Sequence, residues 1–224
     1  MLELYDFNVV VTARVFNPSV IGQHWLVRNA VVGEDDFRPG CVFLDGLSQV
    51  QTEEFSLVVV PQRLQFSPRV PDNRKQELII EKVGRIVAAL PHTPYEACGL
   101  NITWHLTPEE IDTETFCRRL FFRPDDSFYE TFDEDGALFG AYFSKDSIGC
   151  RMKLDVKPIN LESDDDREWQ CVQFAFNFHI DLENAENAVG LIVEMLHRWD
   201  DASVQSAQIM RHAMQRDIPC PQEP

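Results

Sequence analysis

The sequence predicts an α+β protein: antiparallel sheet covered by helices on one face. Two patterns predict it. Residues 98–106, 148–157 and 169–180 alternate apolar and polar side chains, the period of a strand with one face buried. Residues 74–90 instead repeat apolar side chains at helical spacing. Strands come in runs between helices, an order that suits antiparallel sheet better than βαβ repeats.

The elements follow in order. Residues 5–16 are β-branched and aromatic and read as a strand, closed by Asn17-Pro18-Ser19. Asn17 or Ser19 then caps a short helix running to about Ala30. Residues 41–51, 55–60 and 62–67 are strands, parted by Glu53-Glu54 and by Pro61-Gln62, because proline cannot donate to a ladder. The helix over 74–90 points Ile79, Val83, Ile86, Val87 and Leu90 inward, keeps Lys75 and Glu77 on its polar side, and stops at Leu90-Pro91. A strand follows, with Cys98, Leu100, Ile102, Trp104 and Leu106 on one face.

Thr107-Pro108-Glu109-Glu110 opens a helix reaching about Leu120, its acids near the positive end of the dipole. Residues 137–144 form a strand that turns at Lys145-Asp146-Ser147 into a second over 148–157, and the acid-rich stretch Glu162–Asp166 is a solvated loop. The strand over 169–180 turns Val172, Phe174, Phe176, Phe178 and Ile180 inward. Asp181 caps a helix carrying Val189, Ile192, Leu196 and Trp199, and Val204, Ala207, Met210 and Met214 mark another helical stretch.

The first half, residues 1–106, thus reads βαβ(β)βαβ, a ferredoxin-like order. The second half, 107–217, reads helix–strands–helix, and 218–224 are a loose tail. Without a Gly/Ser linker between them, the halves are expected to share one extended or curved sheet.

Thirty-seven acidic residues against 20 basic ones leave a net charge of −17 over 224 residues. That balance disfavours nucleic acid and anionic membranes, since phosphate binding depends on Lys and Arg displacing counterions. The excess acid serves solubility, or forms an acidic face that docks a basic partner or mimics a nucleic acid. No apolar run approaches membrane-spanning length, and residues 1–6 lack the character of a signal peptide. The six cysteines lack zinc-knuckle spacing and read as reduced thiols. The expectation is a cytoplasmic protein without metal or cofactor.

Phosphate loops, dinucleotide fingerprints, zinc-protease helices and nucleophile elbows are missing from the sequence, and Asp133-Glu134-Asp135-Gly136 reads as a turn rather than a calcium loop. The candidate binding residues are polar positions on two strands. Asn101 and His105 share one strand face, and Asn177 and His179 share another. If those strands are neighbours, the four groups converge on an open face, or they simply decorate its wet side. Leu57 and Val59 lie opposite Val58 and Val60, on a strand apolar on both faces. They are the expected contact with a second subunit.

Three stretches carry a resemblance. Asn17-Pro18-Ser19-Val20-Ile21, Val60-Pro61-Gln62-Arg63-Leu64-Gln65-Phe66 and Leu90-Pro91-His92-Thr93-Pro94-Tyr95-Glu96-Ala97-Cys98-Gly99-Leu100-Asn101 resemble a family of uncharacterised bacterial proteins over residues 7–106. The resemblance implies no activity, and the motifs themselves are junctions: strand to helix, strand to strand, helix to strand.

The function expected is a non-enzymatic interaction or regulatory role, as adaptor, inhibitor or chaperone-like module, bound to a protein partner or to itself. Free sheet edges and the acidic balance favour it. The alternative is an enzyme of unrecognised class using the polar face around His105 and His179.

Overall fold

A computed structural model describes residues 1–123, 125–162, 168–183 and 185–214. The expected acidic loop over 162–166 lies almost wholly outside the described residues, as do the tail and Cys220. Among the described residues, nine strands form one antiparallel sheet: β1 Leu2–Ala13, β2 Val42–Leu44, β3 Leu47–Gln51, β4 Phe55–Val60, β5 Arg63–Pro68, β6 Tyr95–Leu106, β7 Ala141–Ser147, β8 Cys150–Glu162 and β9 Glu168–Asp181. Their order is β2-β3-β4-β5-β1-β6-β9-β8-β7. In the first half β1 lies between β5 and β6, the split arrangement expected of a ferredoxin-like order, with the β2–β3 hairpin added at the edge. The second half extends the same sheet, because β9 pairs with β6 from Ala97↔Asp181 to Leu106↔Val172.

The helices are α1 Gln23–Arg28, α2 Asp72–Ala89, α3 Thr113–Phe121, α4 Ser127–Glu130, α5 Ala188–Leu196 and α6 Trp199–Met214, with a 3-10 turn at Pro18–Val20. Leu26, Ile79, Val83, Phe116, Ile192 and Trp199 join one apolar cluster with Val9, Leu57, Phe66, Leu100, Phe178 and Met152 from the strands. The buried apolar residues of the helices all belong to that cluster. Among the described residues, no helix buries its apolar side chains against the opposite face of the sheet. None of the described helices is long and apolar enough to cross a membrane.

Leu57 and Val59 require correction: they are fully buried in this core, not in a subunit contact. Leu57 pairs with Val50 and Phe66 on the helix-covered side, while Val58 and Val60 are the half-buried residues on the open side. Both faces of β4 are apolar, so alternation alone does not say which is inward.

Several boundaries differ for local reasons. The strand expected over 41–51 is a hairpin turned at Asp45-Gly46. The helix expected at Pro108 starts at Thr113, because the Asp112 carboxylate accepts from the Thr115 amide at 2.7 Å and is the better cap. The β7–β8 turn falls at Ile148-Gly149, both at positive φ, as a type I′ hairpin turn requires. Asn187, not Asp181, caps α5, and His197-Arg198 separate α5 from α6. Lys75 is not on a solvated face. Its stem is buried, its ammonium sits 3.2 Å from the Phe7 ring centroid, and Asp72 pairs with it at 2.6 Å.

Candidate functional site

The open face is set by register. Asn8 pairs with Asn101, Asn101 with Asn177, and Asn177 with Lys153, so β1, β6, β9 and β8 carry one polar row across the centre of the sheet. The asparagines are linked in file. Asn177 Nδ2 donates to Asn101 Oδ1 at 2.8 Å, Asn101 Nδ2 to Asn8 Oδ1 at 2.9 Å, and Asn8 Nδ2 to Asp6 Oδ2 at 2.9 Å. A carboxamide offers two donor hydrogens and an acceptor with two lone pairs. These bonds therefore leave spare hydrogen-bonding capacity along the row.

Gly99 makes room for the file. A Cβ there would lie 2.9 Å from Asn177 Nδ2, so a side chain at 99 would push the carboxamide off Asn101. The alternation of β6 shows Gly99 on the polar face, but its role depends on pairing with β9, which is distant in sequence.

Asn101 and Asn177 thus meet; the histidines do not. His179 is opposite Gly99, while His105 is opposite Gln173. Six residue steps along β6 separate those positions, about 20 Å at about 3.4 Å per step. His105 is flanked by Glu3 on β1 and stacks on Tyr5, ring centroids 3.9 Å apart. Its Nε2 is buried without a partner. Burial holds the imidazole pKa below its ordinary value, against a hydrogen bond donated by the ring to Gln173 and the nearby Glu3 carboxylate, which favour the charged form. His179 is lowered as well, first by burial and then by Lys153 and Arg151, with Asp181 opposing. Its Nδ1 is likewise buried and unpartnered. Both rings are therefore biased toward the neutral form. Among the described residues, no group of three His, Cys, Asp or Glu side chains is placed to hold a metal ion.

Tyr5, Tyr142 and Trp169 are exposed, and register places Tyr142 and Trp169 on this same side of the sheet. Strand positions of the face carry Arg63, Arg151, Lys153 and Lys157 against Glu3, Asp6, Asp146, Asp155 and Asp181. The face is nearly balanced in charge on a chain of −17. No protein-family model matches this chain, and no curated protein matches it.

Proposed function

We propose that the protein is a non-enzymatic interaction module of the cytoplasm, and that a protein partner docks on the open face of its sheet. The observation that carries this reading is the size and character of that face. Nine strands spaced by about 4.8 Å span roughly 38 Å, and the twelve residues of β6 run roughly 40 Å. Several strands are shorter than β6, so the footprint is on the order of 1,200 Å², still above the roughly 800 Å² per partner of a standard interface. Half-buried Val10, Val58 and Val60 supply apolar contact, the asparagine file supplies hydrogen-bonding groups, and near-neutral charge lets another protein approach. The separation of the two histidines gives the enzymatic alternative no single centre.

The test is co-purification with mass-spectrometric identification, comparing the parent chain with Thr103→Lys/Ala175→Lys. These two residues are opposite one another on the central strands, half-buried on the open face. A partner recovered by the parent should be lost from the variant while circular dichroism stays unchanged. Undiminished recovery by a folded variant refutes docking on this face.

A further inference from the structure

A second surface lies on the other side of edge strand β7. Phe143 pairs with Leu154, on the helix-covered side of the sheet, and its ring is 6.4 Å from that of Phe121 at the end of α3. Phe122 packs edge-on against Phe139 at 5.3 Å and Tyr129 at 5.9 Å, and Phe128 approaches Tyr129 at 5.4 Å and Phe132 at 5.6 Å. The Arg118 guanidinium lies over Phe122 at 4.4 Å and pairs with Asp133. Phe139 is buried at the base of this cluster, yet Phe128 is 66% exposed, Leu138 63%, and Phe132 and Phe143 each 48%. Aromatic rings gathered in solvent mark an interaction surface.

Charge identifies the occupant. Residues 125–138 contain Asp125, Asp126, Glu130, Asp133, Glu134 and Asp135, all exposed, and no Lys or Arg. Beside the rings, Glu114, Asp133, Glu134 and Asp135 line a cleft of about 470 Å³ with Arg118. Among the described residues, no ion pair engages Glu114, Glu130, Glu134 or Asp135. A second copy would set these acids against its own, and an anionic membrane would be repelled. We propose that this patch receives a cationic amphipathic segment of a partner protein, its apolar side chains over Phe128, Phe132 and Phe143 and its Lys or Arg side chains in the acidic cleft. This mode requires both an apolar stripe and positive charge, the chemistry of helix-in-groove recognition. It is independent of docking on the open sheet face.

The experiment uses a short fluorescein-labelled peptide of lysine and leucine in amphipathic helical order, followed by anisotropy at physiological salt. The full chain should bind it, and a peptide of the same composition in scrambled order should bind more weakly. Phe128→Ser/Phe132→Ser and Glu130→Lys/Glu134→Lys should each weaken binding by about tenfold or more, the second also flattening its salt dependence. All four positions are exposed, so circular dichroism should confirm both variants folded. Thr103→Lys/Ala175→Lys, on the open face, should bind the peptide as the parent does. Equal binding to parent and patch variants would mean that the peptide follows net charge alone, and would overturn the proposal. So would absence of binding, or a parent dimer that Phe128→Ser/Phe132→Ser converts to monomer in light scattering.

Discussion

Asn101 on β6 and Asn177 on β9 are directly opposite and joined by a 2.8 Å side-chain hydrogen bond, although 76 residues separate them in the chain. The bond carries on through Asn8 to Asp6, so the polar face has a defined geometry before anything binds it. Order of this kind lowers the entropy lost on docking, because the side chains are already held.

The file should show energetic coupling. Asn101→Asp keeps the acceptor for Asn177 but sets a carboxylate oxygen against Asn8 Oδ1 where a donor stood. A loss of about 1–3 kcal/mol in urea unfolding is expected. An Asn101→Ala/Asn177→Ala cycle should give a coupling energy of about 0.5–1.5 kcal/mol. Strict additivity of the two single changes would show that the carboxamides act independently.

The two faces of β4 should respond very differently. Leu57→Ala removes a fully buried side chain and should cost about 2–5 kcal/mol. Val58→Ala, half-buried on the open side, should cost about 1 kcal/mol or less. Leu57→Lys with Val59→Lys should unfold the chain rather than split an oligomer, since both charges would enter the core. A folded double variant of reduced mass in light scattering would restore the interface reading for that side of the strand.

Acidification should destabilise the fold through His105. Unfolded, the imidazole protonates around its ordinary pKa of 6.5; folded, burial defers this to lower pH. Between those two values the unfolded chain binds more protons, so the contribution of neutral His105 is fully present above the unfolded value. It is lost as pH falls through 6.5 toward the folded value. Carboxylates also titrate on the way down, so the informative quantity is the difference from His105→Gln. The melting temperature of the parent should fall relative to this variant between about pH 8 and pH 5. A difference independent of pH would mean that His105 is protonated equally in both states.

Strands buried on one face were legible in the sequence because burial imposes a period of two. β6, β8 and β9 show it, down to the inward Phe174, Phe176 and Phe178. The apolar face of α2 was legible for the matching helical reason. Pairing between strands distant in the chain was not. Asn101 and Asn177 could be placed on polar faces, but only the register of β6 with β9 shows that they touch while His105 and His179 stand far apart. Lys75 escaped for another reason: a lysine at the start of a helix reads as solvated, and only the fold brings Phe7 beneath its ammonium. The exposed rings of Phe128, in a four-residue helix, and Phe132, in the turn after it, belong to no element long enough to show a period, although their acidic neighbours are plain in the sequence.

The thiols should divide by burial. Burial pushes Cys98 and Cys117 up to about 12 and also raises Cys150 and Cys171, which suppresses the thiolate that reacts. Cys41 is only partly buried; its thiol donates to the Arg38 carbonyl at 3.2 Å and accepts from the Gln51 amide at 3.2 Å. The five described cysteines are free. In a Cys220→Ser background, native protein treated with Ellman's reagent at mildly alkaline pH should release one equivalent quickly, from Cys41. The remaining four should follow only as the fold opens, because all four are buried and burial raises each thiol; for Cys98 and Cys117 a pKa of about 12 leaves about one part in ten thousand ionised at pH 8. In denaturant without reductant all five should react at once. A fast native phase of two or more equivalents would contradict the burial of the core thiols, and a denatured total below five would reveal a disulfide.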